Sequence, residues 1–350
     1  MTPITIPTLR TPRLTLRAFT PADLAPYAAM MADPAVTRYL GTGEPRSTPQ
    51  TWESMARALG LWALRGHGLF AVEHEGRLAG HCGLLQPLHW PAPELAYGLA
   101  PAFHGKGLAT EAVQAVRAWA AGQGITDLFS YIRPENAASI AVARRLGAVL
   151  EREAEMMGGP VQIWRHGPPP AALPTQTGAS VTEVETLTTE RLILRRFELA
   201  DYAPLCAIHA DPETMRHLGD GNPRSPELTG QQMAMWTGAF ALGTGGYRAI
   251  IRRADGALIG RCGINGEPAW PETELAYTLS RAAWRQGYAA EAAAAVRDWA
   301  WRALKPESLV SFVKVGNTAS GRVAARLGAT LTRSFTFEAK PTERWEYPRP

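Results

Sequence analysis

Apolar and polar residues alternate from Thr11 to Arg17 (TPRLTLR), the two-residue period of a half-buried strand. The alternation returns from Thr189 to Arg195 (TERLILR). Each strand is followed by an acidic residue and an apolar-rich segment ending at Asp-Pro: Asp23 and Asp33-Pro34, then Asp201 and Asp211-Pro212. Proline cannot continue a helix, so both segments read as short helices. A second helix is predicted over 49–64 and again over 226–242. Two strands joined by a tight turn follow, Phe70 to His74 and Leu78 to Leu85, matched by Tyr247 to Arg252 and Leu258 to Ile264. A strand from Glu94 to Ala100 then leads through a glycine-containing loop into an Ala-rich helix, as does its counterpart from Glu274. Leu108, Ala112, Ala115 and Trp119 recur as Tyr288, Ala292, Ala295 and Trp299, at helical spacing that makes one buried face. Both tryptophans therefore read as core residues rather than ligand platforms. The last elements are a strand (128–132, 309–313), a helix entered at Asn136 or Asn317 and stopped at Gly147 or Gly328, and a closing pair of strands.

The chain is thus one pattern written twice. It divides into a first domain over 1–167, an exposed Pro/Thr-rich linker over 168–181, and a second domain over 182–350, each domain large enough for its own core. The 46% hydrophobic and 19% charged content is that of a soluble globular protein. A net charge of +4 suits an anionic ligand, but no basic stripe with interleaved aromatics argues for nucleic acid. No apolar run is long enough to span a bilayer and no apolar leader opens the chain, so a cytoplasmic protein without a membrane partner is expected. Cys82, Cys206 and Cys262 lack paired spacing, which fits a reducing compartment. The histidines show no HExxH or paired ligand spacing, so no metal is expected.

The strongest repeat is ELAYGLAPAFHGKGLATE (94–111) and ELAYTLSRAAWRQGYAAE (274–291), offset by 180 residues. A strand feeding a glycine loop and a helix N-terminus gathers unpartnered N–H groups into a diphosphate-sized anion site. Gly107 and Gly287 let the backbone approach closely, and Ala109 and Ala289 keep the next turn small. The loop is neither a P-loop nor a dinucleotide fingerprint, since Gly-Lys-Ser/Thr and Gly-x-Gly-x-x-Gly are both absent. In these residues the chain resembles the GNAT acyltransferases, and among them the RimJ/RimL-like N-acetyltransferases. Their Trp-Gly-Lys-Gly-Tyr-Ala-Thr-Glu-Ala type loop binds the pyrophosphate of acetyl-coenzyme A. His104, Gly105, Lys106, Gly107, Leu108 and Ala109 match it with His for Trp; Trp284, Arg285, Gln286, Gly287, Tyr288 and Ala289 match it with Arg for the first Gly. Asn136-x-x-Ser139 and Asn317-x-x-Ser320 are a second match, and the likeness covers both halves nearly end to end.

The resemblance implies an α/β fold: two tandem GNAT-type acyl-CoA N-acyltransferase domains, each a mixed, mostly antiparallel sheet flanked by helices. The fourth and fifth strands splay apart around the thioester. The implied reaction moves an acetyl group from acetyl-CoA, as co-substrate, to a primary amine such as a protein N-terminus or a small molecule. Backbone N–H groups near Leu99 and Leu279 would face the thioester carbonyl, and Asn136 and Asn317 would lie near the pantetheine arm or acceptor. The two halves would form an intramolecular pseudo-dimer, with a monomeric chain left open.

Such chemistry needs a base. Glu94 and Glu274 are each the acidic residue of an apolar strand, where burial would raise a carboxyl pKa. Solvated edge glutamates, with water as the base, are the alternative. Glu111 and Glu291, in a first helical turn, read as structural partners of the macrodipole. For thiolate protonation many GNATs use a tyrosine where this chain has Ala143 and Ala324; Ser139 and Ser320 are the substitutes, against the alternative of local capping. Tyr97 and Tyr277, three residues from the glutamates, belong on the opposite face as core or pocket-wall residues. His104 reads as a partly exposed loop filler. An acyl-CoA-binding sensor or scaffold with one or both domains silent is the alternative function, which the two retained glutamates disfavour. Gly105-Lys106 against Arg285-Gln286, and Trp52-Glu53 against Thr229-Gly230, predict unequal halves with the first loop the more open.

Overall fold

Most of the element order expected from the pattern recurs in the computed structural model, which describes residues 4–156, 158–168, 176–181 and 184–350. It adds strands over 4–10, 176–181 and 187–188 and short helices over 34–37 and 212–215, beyond the Asp-Pro steps where a stop was expected. The chain forms two units, Met1–Glu183 and Val184–Pro350. The first opens with β1 (Ile4–Arg10), β2 (Leu14–Arg17), α1 (Leu24–Met31), α2 (Pro34–Thr37) and α3 (Thr48–Arg65). It continues with β3 (Leu69–His74), β4 (Arg77–Leu85), β5 (Glu94–Leu99), α4 (Leu108–Gly122), β6 (Phe129–Ile132) and α5 (Ala137–Arg145). It closes with β7 (Val149–Met156), β8 (Gly159–Arg165) and β9 (Gln176–Val181).

The second unit repeats the plan. Its strands are β10 (Leu187–Thr188), β11 (Leu192–Arg195), β12 (Gly246–Arg252), β13 (Leu258–Asn265), β14 (Glu274–Leu279), β15 (Val310–Lys314), β16 (Thr330–Phe337) and β17 (Lys340–Glu346). Its helices are α6 (Tyr202–His209), α7 (Pro212–Met215), α8 (Pro226–Ala239), α9 (Tyr288–Trp299) and α10 (Thr318–Arg326).

Each unit is one mixed sheet, ordered β7-β8-β6-β5-β4-β3-β2-β1-β9 in the first and β10-β11-β12-β13-β14-β15-β17-β16 in the second. Every neighbouring pair is antiparallel except β5–β6 and β14–β15. Two local expectations need correction. Thr11-Pro12-Arg13 turns the chain between β1 and β2 instead of lying in a strand. Of the expected linker over 168–181, residues 169–175 lie outside the described residues, but 176–181 form β9, paired antiparallel with β1. The unpaired edge of β1 offers a template for such a strand. Gly178 is what lets it close in, because a Cβ there would collide with the Ile6 carbonyl.

The helical stripe reads as expected. Leu108, Ala112, Ala115 and Trp119 are all buried, with Trp119 packed 5.2 Å from Trp62 and 5.7 Å from Phe70 between ring centroids. Trp299 likewise packs against Phe240 at 5.9 Å. This fixes α4 and α9 on the sheet, and hence fixes where their N-termini point.

The parallel pair is the feature that makes a site. β5 and β6 pair at one position, Glu94 with Phe129, and the Ser130 hydroxyl donates to the Leu95 carbonyl at 3.0 Å. Beyond that point no register joins them among the described residues. In the second unit Glu274 pairs with Val310, and Ser311 donates to the Leu275 carbonyl at 2.6 Å. Each unit therefore contains a fork between two strands.

Candidate active site

The fork determines which backbone groups lie open. Ala100 N–H bonds the Ala79 carbonyl beside β4, and Ser280 N–H bonds Ile259 beside β13, both at 2.9 Å. Groups along a strand alternate between its two neighbours, so the N–H groups of Tyr97 and Leu99, and of Tyr277 and Leu279, turn toward the gap. This is the orientation expected for Leu99 and Leu279.

At the apex stand the two glutamates. Glu94 is half-buried and its Oε1 accepts only a long bond, 3.4 Å, from the Tyr131 backbone N–H. Burial pushes its carboxyl up to about 7, with the Tyr131 N–H acting in the other direction. Glu274 is 5% exposed and better held: Asn265 Nδ2 and Trp270 Nε1 each donate to Oε2 at 2.8 Å, and Phe312 N–H donates to Oε1 at 3.2 Å. Burial again dominates and places it at about 7, against the pull of those donors. The difference is set across the strand, where Leu85 faces Glu94 but Asn265 faces Glu274. Neither glutamate is a solvated edge residue.

Past the fork each strand enters the loop. Gly105 and Gly107 have φ of 72° and 75°, and Gly287 has 81°, all in the left-handed region where a side chain is strained. Arg285 occupies that region at 59°, where Gly105 stands in the first unit, at a cost of roughly 1 kcal/mol. Gly107 and Gly287 are the N-cap residues of α4 and α9 and offer no side chain to the first-turn N–H groups. Residues 104–107 and 284–287 are exposed, Leu108 and Tyr288 are buried beneath, and Ala109 and Ala289 lie half-buried at the helix entrance. The arrangement can hold an anion by its backbone.

His104 is not a loop filler. Its Nε2 sits 2.8 Å from the Leu99 carbonyl, and Trp284 Nε1 donates to the Leu279 carbonyl at 2.9 Å. A carbonyl only accepts, so Nε2 carries a hydrogen, and histidine replaces tryptophan as the same N–H clamp. Glu111 and Glu291 also do more than face a helix dipole. Thr11 Oγ1 and Arg13 N–H donate to Glu111 Oε1 at 2.6 and 3.0 Å, and Arg13 Nε donates to Oε2 at 2.7 Å. Thr189 and Arg191 repeat this on Glu291. Burial opposes ionisation of Glu111, but the Thr11 and Arg13 bonds outweigh it and hold the carboxyl below its ordinary range. Arg13 Nη1 also donates to the Lys106 carbonyl at 2.8 Å, and Arg191 Nη1 to the Gln286 carbonyl at 2.9 Å. These arginines tie the loop to the helix start, a contact sequence reasoning missed although the repeated Thr-x-Arg-Leu was a visible signal.

Asn136 and Asn317 are N-caps, accepting from Ser139 N–H at 3.1 Å and Ser320 N–H at 3.2 Å. Capping is thus done by the asparagines and not by the serine hydroxyls. Tyr97 lies on the face opposite Glu94, as expected, and its hydroxyl donates to the Ser139 carbonyl at 3.4 Å. Tyr277 likewise reaches the Ser320 side chain. Burial pushes Tyr97 up to about 12, so both it and Ser139 remain protonated at neutral pH. Among the described residues no three His, Cys, Asp or Glu side chains are grouped to hold a metal ion, and no helix is long and apolar enough to cross a membrane. A cavity of about 310 Å³ lined by Trp301, Ser308, Thr332, Tyr347 and Arg349 contains none of the candidate residues.

The family profile described as Acetyltransferase (GNAT) domain matches residues 13–149 and 191–330. An uncharacterized N-acetyltransferase, p20, of Bacillus licheniformis is 31% identical over 139 residues, spanning 39% of this chain and 78% of its own length. An acetyltransferase structure from Agrobacterium tumefaciens is 33% identical, covering 48% of this chain and 98% of its own, with a TM-score of 0.42. A Salmonella typhimurium acetyl transferase that modifies the N-terminal serine of ribosomal protein L7/L12 is 23% identical, covering 45% and 95%, with a TM-score of 0.39. The chain belongs to the GNAT acetyltransferases and carries their domain in tandem.

Proposed function

We propose that each unit transfers an acetyl group from acetyl-CoA to a primary amine, with Glu94 and Glu274 as bases. The observation that carries this reading is a carboxyl held near pH 7 at the apex of a strand fork, beside a loop built to receive an anion. The coenzyme diphosphate binds the first-turn N–H groups beyond Gly107 or Gly287, and its pantetheine arm enters the fork. The amine loses a proton to the glutamate and attacks the thioester carbonyl carbon, whose oxygen is met by the Leu99 or Leu279 N–H. As the C–S bond breaks, the departing thiolate takes a proton delivered by Ser139 or Ser320, with Tyr97 or Tyr277 alongside. A general base of ordinary carboxyl pKa would be a poor acceptor at neutral pH, which is what burial at the fork corrects.

Thiol release from acetyl-CoA in a mixture of primary amines tests the reaction. Release that requires amine supports transfer. Coenzyme binding without release from any amine would replace this reading with a sensor or scaffold.

The anchor on the loop carries a separate expectation. Glu111→Gln keeps the shape of the side chain but removes the charge that holds Arg13, which is itself bonded to the loop carbonyl of Lys106. A charge-assisted bond is worth about 1.5–3 kcal/mol, less where the arginine is exposed. Coenzyme A affinity in that unit should fall by roughly tenfold, read by calorimetry, with Glu291→Gln acting alike in the other.

A further inference from the structure

The sheet face that carries Glu274 also carries a cation with nothing anionic to meet it. Arg261 on β13 stands opposite Thr278 on β14, and Thr278 shares its strand face with Glu274. Arg261 is 5% exposed, with its guanidinium carbon 4.2 Å from the Trp236 ring centroid and 4.4 Å from that of Tyr247. Contact with two rings, themselves tilted 44° to each other, restricts how the guanidinium can move. Its Nε–H has no hydrogen-bond partner, nor has Thr278 Oγ1, nor Nε2 of His209, which packs edge-on against Trp236. Three buried polar atoms left unpaired in one neighbourhood are exceptional, because each has given up its bond to water without gaining another.

Arg224 lies close to His209 and Arg261, and its own hydrogen-bond partner is the neutral Gln232. Asp220 and Glu338 act on Arg224 only at longer range. Among the described residues neither arginine makes a salt bridge. Burial first, then Arg261 and Arg224, drive His209 far below its usual range, so it stays neutral. Tyr247 feels both Arg261 and Glu274, which ties this cluster to the catalytic end of the strand.

The first unit is built otherwise. His81 stands where Arg261 does, with Nδ1 3.1 Å from the Tyr27 hydroxyl, and Gly98 stands where Thr278 does. Burial lowers His81 to about 4, so the pair is neutral at pH 7. Arg46, the counterpart of Arg224, also acts on His81 and donates to the Ser54 hydroxyl at 3.0 Å. Arg57 beside Tyr27 is paired 3.2 Å from Glu53, so what separates the units is Arg261 with Thr278 against His81 with Gly98.

We propose that the acceptor of the second unit carries a carboxylate as well as its amine, received side-on at the Arg261 Nε edge with the Thr278 hydroxyl donating to it. The first unit makes no such demand. A carboxylate suits this site because its two oxygens match the guanidinium fork, and it satisfies the orphaned donors at once. The proposal rests on the acyl-transfer reading of the same site and specifies its substrate class.

The test uses the full chain and acetyl-CoA, with the ω-amino acids from glycine to 6-aminohexanoate, each paired with its amide, and butylamine as a neutral control. At least one acid should be preferred over its amide by about ten- to hundredfold in kcat/KM. Arg261→Gln should bring that ratio close to one, Arg261→Lys should recover part of it, and Thr278→Val should lower it several-fold. No acid preferred in the wild type, or a ratio preserved in Arg261→Gln while both rates fall, overturns the proposal. Failure of every amine, butylamine included, strikes the acyl-transfer reading instead. Calorimetry with N-acetylated acid and amide pairs on the coenzyme-loaded chain then decides. Acid-selective binding that is lost in Arg261→Gln sustains the carboxylate site, and equal binding overturns it.

Discussion

Glu94→Gln combined with Glu274→Gln is expected to lower turnover by about 10²–10⁴, the usual worth of a general base, with acetyl-CoA affinity nearly unchanged. Both substitutions are needed, since either unit alone could carry the assay; the single variants then report each unit's share. The wild-type rate should climb as pH rises through about 7, where the two carboxyls lose their protons. That limb should vanish in the double variant. Stability should move the opposite way. A carboxyl raised above its ordinary range binds its proton more tightly folded than unfolded, so the stability it adds is complete in acid and is lost as pH rises through about 7. Denaturation at pH 5 and pH 9 should therefore show the double variant gaining on the wild type at the higher pH, by on the order of a few kcal/mol. An unaltered pH–rate profile in the double variant would remove the glutamates from proton transfer.

Gly107→Leu and Gly287→Leu should each abolish coenzyme binding in their own unit, with calorimetric stoichiometry falling from two per chain to one. The fold should survive. A Cβ at 107 meets nothing nearer than Arg13 Nη2 at 3.6 Å, and at 287 nothing nearer than Arg191 Nη2 at 3.3 Å, so the folding cost is mainly the left-handed backbone, about 1–2 kcal/mol. The binding cost is larger because the side chain projects where phosphate oxygens must reach the first-turn N–H groups. Losing two charge-assisted bonds corresponds to about a hundredfold or more. The strained Arg285 makes the second loop the poorer starting point, so the two variants should lose activity unequally with a single amine. Equal losses would sink that asymmetry.

Much of this was legible because it is local. Period-two and helical spacing locate the strands and α4, and repetition across 180 residues separates the loop motif from chance. What was not legible is contact between distant segments. Arg13 and Glu111 lie 98 residues apart, and only the folded sheet brings the β1–β2 turn onto the helix start. The burial of Glu94 depends on where β5 and β6 part, which no periodicity encodes. His104 was read as a partly exposed loop filler because residue type says nothing of an N–H aimed at the Leu99 carbonyl, which only the folded loop shows. The strand at 176–181 was hidden by composition, since a segment such as Gln-Thr-Gly-Ala-Ser-Val, following a Pro-rich stretch, declares itself a strand only when an open edge waits for it.

In each unit one residue pair is both the hinge of the cleft and, on the proposed mechanism, the seat of the base. A copied domain therefore inherits the place of the reaction together with its reagent, and neither can drift without disturbing the other. The residues on the adjacent strand, β4 or β13, are under no such bond. Leu85 stands where the second unit has Asn265, and His81 where it has Arg261, while both forks show the same pairing. Duplication of such a unit leaves the chemistry conserved by geometry and sets recognition free to diverge.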